Sequence, residues 1–128
     1  MKRSLWTLTT LVVVALVALP VLAANPNATK SVAGSEDGTS VLVIRVTASS
    51  QSIYGVTIKD ASGSITDIGA PKGWVGISWG TDVIFRTDEK PIRAGSSLTF
   101  KVHTTNEDGE LSISFRDKDS PIGSGKTF

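Results

Sequence analysis

Residues 40–128 predict an all-β domain, an antiparallel β-sandwich of seven or eight short strands. Three observations carry this. Apolar residues recur with period two, the alternation of a strand with one buried face. Clusters of Gly, Pro, Asn, Asp and Ser separate the runs. No ten-residue stretch has a helical period.

Each run can be taken in order. Leu42, Ile44 and Val46 alternate with Val43 and Arg45. Tyr54, Val56 and Ile58 alternate with Gly55, Thr57 and Lys59. Val75, Ile77 and Trp79 alternate with Gly76 and Ser78, which predicts Val75, Ile77 and Trp79 in the core. Val83 and Phe85, then Leu98, Phe100 and Val102, then Leu111, Ile113 and Phe115 complete the clear strands. Ile65 and Ile68 suggest a shorter one, and Pro121 to Phe128 a last one. The runs are rich in β-branched and aromatic residues, as strands favour. Turn chemistry marks Asp60-Ala61-Ser62-Gly63, Ala70-Pro71-Lys72-Gly73, Gly80-Thr81-Asp82, Ala94-Gly95 and Asn106 to Glu110. Regular short strands with such turns between them argue for a sandwich.

The N-terminus has a different character. Lys2 and Arg3 precede an apolar stretch from Leu5 to Leu19, and Pro20 ends any helix there. Small residues follow, and cleavage after Ala23 places Val21 at −3. Residues 1–23 are therefore expected to be a secretory signal peptide, and the protein to be secreted, periplasmic or at the cell surface. The rival is a retained membrane anchor, which Thr7, Thr9, Thr10 and Pro20 weaken. Contact with a membrane is expected only through this segment. Residues 24–39, polar and rich in Gly, Ser and Ala, are expected to be a flexible leader. They include Asn27-Ala28-Thr29, the pattern of a glycosylation sequon, common by chance.

Composition narrows the function classes. Loss of Lys2 and Arg3 leaves eleven basic against twelve acidic residues, a net charge of −1. With no basic run and no aromatic-basic stripe, nucleic acid is not an expected partner. The chain has no cysteine, so no disulfide can staple the fold.

Three motifs touch chemistry. Gly76-Ile77-Ser78-Trp79-Gly80 matches the G-x-S-x-G nucleophile elbow, with Asp82, Asp88 and the sole histidine, His103, after it. An elbow joins a strand to a helix, whereas a turn and a second strand follow here, so no catalytic residue is assigned. Gly123-Ser124-Gly125-Lys126-Thr127 resembles the end of a phosphate loop, but Ser120 stands where the first glycine belongs and no helix follows. Nucleotide and cofactor binding are not expected. Asp117 and Asp119 have the alternate spacing of calcium ligands, without the Gly and Glu that complete such a loop. Turn-forming acids are the simpler account, and no metal site is assigned.

The two tryptophans beyond the signal segment fall on opposite faces of one run. Trp79 is expected in the core. Trp74, beside the turn at residues 70–73, either caps one end of the sandwich or stacks as an exposed ring on a sugar, and is the candidate ligand-stacking residue.

Ile53-Tyr54-Gly55-Val56-Thr57-Ile58, Ala70-Pro71-Lys72-Gly73-Trp74, Phe85-Arg86-Thr87, Pro91-Ile92, Gly95, Leu98 to Val102 and Phe115-Arg116-Asp117 resemble small extracellular immunoglobulin-like sandwiches of prokaryotes, the cohesin-like and surface-adhesin-like modules. The resemblance covers about half of the chain, Ile53 to Asp117. It implies an immunoglobulin-like sandwich with binding or structural work, and carries over no ligand residue. The expected function is non-enzymatic binding, adhesion or assembly at the cell surface or outside the cell, with a glycan or another surface protein as partner. A small carbohydrate-binding module using Trp74 and a strand-paired subunit of a surface filament are the alternatives.

The exported protein should begin at Ala24, which intact-mass measurement checks. Retention of residues 1–23 in a membrane fraction would instead show an anchor.

Overall fold

The computed structural model describes residues 25–128, and all regular structure there is strand. The expected signal segment, residues 1–23, lies outside the described residues. Nine strands form: β1 (Asn27–Glu36), β2 (Thr39–Thr47), β3 (Gly55–Lys59), β4 (Ile65–Gly69), β5 (Val75–Trp79), β6 (Asp82–Arg86), β7 (Ser97–Thr104), β8 (Ser112–Arg116) and β9 (Pro121–Thr127). One sheet has the order β1-β2-β7-β4 and the other β5-β6-β3-β8-β9, with every pairing antiparallel.

The first correction lies at the N-terminal end. Instead of a flexible leader over residues 24–39, ten residues pair with β2 as β1. Asp37 and Gly38 both have positive φ, 53° and 78°, and join Glu36 to Thr39 as a two-residue hairpin loop. Asp-Gly supplies the backbone that such a loop needs. Only Ala28 of β1 is buried, so no apolar alternation announces the strand.

The core sits between the sheets. Leu42, Ile44 and Val46 of β2 and Phe100 and Val102 of β7 face Val56 and Ile58 of β3, Val83 and Phe85 of β6, and Ile113 and Phe115 of β8. The alternation placed all of these inside; Tyr54, grouped by it with Val56 and Ile58, instead lines a groove outside the core, since it precedes β3 and lies outside the regular strand. Phe85 and Phe100 meet at the centre, their ring centroids 4.9 Å apart. Backbone polarity is satisfied at the margins as well. The buried Asp60 accepts hydrogen bonds from the Ser62 and Ser64 amides at 3.1 and 2.9 Å and from the Ser62 hydroxyl at 2.6 Å, closing the turn after β3.

The second correction is the face of β5. Val75, Ile77 and Trp79 point to solvent, and Trp79 is 77% exposed. The cause lies on either side of Val75. Trp74 turns inward, and Gly76 packs over Phe85 and Ile68, where a Cβ would lie 2.9 Å from Ile68 Cδ1 and 3.1 Å from Phe85 Cε1. Glycine fills the inward position because there is room for nothing larger, and its neighbours on the strand face out.

Phe100→Ala should lower the unfolding free energy by about 3–5 kcal/mol, the usual cost of deleting a buried phenyl ring. Lys101→Ala, on the exposed face of the same strand, should stay within about 0.5 kcal/mol. Denaturant titration of the two variants compares them; equal losses would mean that β7 has the opposite register.

Candidate functional site

Trp74 is not the exposed ring that sugar stacking requires. It is 6% exposed, its ring meets Phe100 edge-on with centroids 5.1 Å apart at 80°, and its indole N–H donates to the Lys90 carbonyl at 2.8 Å. Its placement begins in the preceding turn, where the Trp74 amide donates to the Pro71 carbonyl at 3.0 Å and Gly73 takes φ 86°. Glycine at the third position is what a type II turn demands. Thr87 anchors the same corner, donating to the Gly73 carbonyl at 2.8 Å and accepting from the Lys90 amide at 3.0 Å. The cap predicted as one option for Trp74 is the arrangement observed.

The exposed aromatic is Trp79, which the alternation had placed in the core. It ends β5, just before the turn at Gly80 (φ 61°) and Thr81 that leads into β6. The pairing across β5, β6, β3 and β8 lays out the outer face of the five-stranded sheet in rows. Val75, Arg86, Gly55 and Arg116 share one row; Ile77, Ile84, Thr57 and Ser114 the next; Trp79, Asp82, Lys59 and Ser112 the third. The β5 end of this face is an apolar stripe, since Val75 is 63% and Ile77 46% exposed. The opposite end is polar and cationic.

A groove of about 530 Å³ crosses the polar end, with Gly55 and Thr57 in its floor and Arg86, Arg116, Lys118 and Tyr54 along its walls. A second hollow of about 480 Å³ runs beside Val75 and Ile77 and shares Arg86, Thr87 and Asp88 with the first. The two adjoin at these three residues, between the apolar stripe and the arginines. Lys118 Nζ lies 5.0 Å from the centre of the Tyr54 ring, a cation–π contact that closes the far end. The position of Trp79 was missed because alternation groups residues by face without naming the inner one; Gly76, too crowded for a side chain, is the only local signal for it.

The three motifs resolve into structure. Ser78 lies exposed near the end of β5, whereas His103 is on β7 in the other sheet, so the elbow-like pentapeptide and the histidine are not brought together. Gly123 to Thr127 lies in β9, and Lys126 Nζ donates to the Ala28 carbonyl at 2.7 Å. Asp117 folds into its own turn, accepting from the Asp119 and Ser120 amides at 2.8 and 2.6 Å. Among the described residues no cluster of three His, Cys, Asp or Glu side chains is arranged to hold a metal ion.

Those hydrogen bonds, first the Ser120 amide and then the Asp119 amide, hold the Asp117 carboxyl below its ordinary value of 3.8, against an opposing effect of desolvation. A depressed folded-state value means that the turn's stabilisation is complete above the unfolded value and lost as pH falls through the folded one. An NMR titration of the Asp117 carboxyl should therefore give a midpoint below 3.8 that returns toward it in Ser120→Pro, which lacks the amide donor.

No family model matches the chain, and no curated protein matches it. Among solved structures it is similar to a protein from Nocardia farcinica described as having an immunoglobulin-like fold, with a TM-score of 0.58 and 14% identity over 79% of this chain and 95% of that one. It is also similar to the GH20 exo-β-N-acetylglucosaminidase of Vibrio harveyi, with a TM-score of 0.55 and 9% identity over 79% of this chain. The match spans 17% of that enzyme's length. A chitin-binding domain from Streptomyces coelicolor gives a TM-score of 0.47 at 12% identity. At this identity the likeness to the Nocardia farcinica protein speaks to fold alone, and with the two antiparallel sheets described above it makes this chain an immunoglobulin-like β-sandwich.

Proposed function

We propose that this protein is an exported, non-enzymatic binding module that holds a glycan on the outer face of its five-stranded sheet and acts at or outside the cell surface. The observation that carries the reading is Trp79. A tryptophan 77% exposed on a flat sheet, flanked by exposed Val75 and Ile77, is a large apolar platform with a polar N–H at its edge. Such a ring suits the apolar C–H face of a sugar, and the hydroxyls around that face find Asp82 and Lys59 in the same row and Thr57 in the next. Support for the non-enzymatic part comes from the separation of Ser78 and His103 onto different sheets. Support for export comes from the signal-like sequence of residues 1–23.

A second reading, strand-paired assembly through β5, has its own support. The pairings of the edge strands β1, β4 and β9 each contain a register shift, but that of β5 with β6 has none. A regular edge beside an apolar stripe is a template for another strand. Size-exclusion chromatography over a concentration series distinguishes this reading, which requires a dimer or a larger species.

Trp79→Ala should abolish retention on a glycan array while leaving the unfolding midpoint nearly unchanged, because the side chain is exposed. Binding should also shift or quench the tryptophan fluorescence of the wild type. Unaltered glycan binding by Trp79→Ala would remove Trp79 from the site and overturn the reading.

A further inference from the structure

Gly55 is a glycine that the backbone does not require. It lies in β3, between β6 and β8, and its φ is not positive. A Cβ there would stand 3.5 Å from Arg116 Cβ and 3.8 Å from the Phe85 carbonyl oxygen, ordinary contact distances. Glycine in a strand interior lowers stability, and where neither strain nor crowding demands it, it marks a place where something else approaches.

Gly55 puts no side chain between two arginines, and its backbone, itself buried, forms the floor there. Arg86 on β6 and Arg116 on β8 are its cross-strand partners on either side, so their backbones stand about 9.5 Å apart, two strand spacings. Both side chains are exposed. Arg86 has no hydrogen-bond or ion-pair partner among the described residues. Arg116 makes one long hydrogen bond, to the Asp119 carbonyl at 3.4 Å, which leaves most of its donors free.

Resting on the glycan reading above, we propose that the trough over Gly55 binds the carboxylate of an acidic sugar, a uronic acid within a polysaccharide, between Arg86 and Arg116. A guanidinium fork matches the two oxygens of a carboxylate in one plane, a fit that an ammonium lacks. The Thr57 hydroxyl in the floor and Lys118 at the closed end add donors. Two acids border the groove. Asp117 is turned into its own hydrogen bonds, and Asp88 stands where the groove meets the apolar hollow. Asp88 lines both hollows, and Arg86, Arg116 and Lys118 outnumber the two acids around the groove, while the uncharged face of the neighbouring sugar rests along Val75 and Ile77. A peptide gains less from this place. β3 is paired on both sides and offers no free strand edge, so the main-chain pairing by which sheets take up extended peptides is not available.

The test is affinity electrophoresis of the full chain in gels containing polygalacturonate, dextran sulfate or neutral galactan. The wild type should be retarded by polygalacturonate at least tenfold more strongly than by dextran sulfate. The double variant R86Q/R116Q should lose at least tenfold of that affinity, and R86K/R116K should recover only a small part of it. Gly55→Thr should lose a similar factor with a melting temperature equal to or above that of the wild type, a combination that a structural role for Gly55 does not produce. If Gly55→Thr does not fold, the arginine variants, altered only at exposed side chains, decide. Equal retardation by dextran sulfate would show a general polyanion patch and overturn the proposal, as would full polygalacturonate binding by R86Q/R116Q. Binding of neutral galactan alone, abolished by Trp79→Ala, would overturn the acidic ligand and leave the glycan-binding face standing. Binding of no polysaccharide would overturn both.

Discussion

The indole of Trp74 must satisfy two demands at once, an edge-on contact with Phe100 and a hydrogen bond to the Lys90 carbonyl. Both lie on the inner side of the sandwich, so Trp74 can enter β5 with only one orientation. Side chains alternate along a strand, and the next residue therefore faces out. Val75, Ile77 and Trp79 are exposed because Trp74 is not. The type II turn at Gly73 and the Thr87 contacts hold that entry point, and Gly76 leaves space for Phe85. A single buried ring thus determines which apolar residues the molecule shows to its surroundings.

The remainder of the outer face follows from hydrogen-bonded pairing rather than from proximity in the sequence. Gly55, Arg86 and Arg116 are far apart along the chain and become neighbours because β3 pairs with both β6 and β8. The platform is stiff for the same reason. Its side chains stand on strands whose opposite faces are locked among Val56, Ile58, Val83, Phe85, Ile113 and Phe115. With no cysteine in the chain, rigidity of this face depends on the interdigitation of those residues alone.

Much of the core was legible in the sequence, and the reason is specific. In β7 and β8, large apolar residues at alternate positions face polar ones at the others, so Phe100 and Ile113 identify the inner side without ambiguity. β5 offers no such contrast. Its other face carries Gly76 and, at the strand's exposed end, Ser78, small residues that look like an outer face, while its three large apolar residues look like a buried one. Burial of Trp74 by partners that come from β7 and the loop before it is a tertiary fact, beyond any local pattern. β1 was illegible for a different reason: a hairpin edge strand that buries one alanine leaves almost no apolar trace, and only Asp37-Gly38 marked it. The arginine trough needed the sheet order, because no spacing in the chain relates residues 55, 86 and 116.

One contact between β1 and β9 has a kinetic consequence. Lys126 Nζ reaches the Ala28 carbonyl across a sequence separation of 98 residues, and Phe128 packs against the core at the same seam. The first strand and the last thus close the sandwich on each other. Until β9 forms, β2 can pair with β1 and pack on β3 and β6, but the seam between β1 and β9 stays open. Closure of so long a loop carries a large entropic barrier, and folds dominated by distant pairings acquire their native state slowly. Sealing that seam therefore falls among the slower steps by which this domain folds.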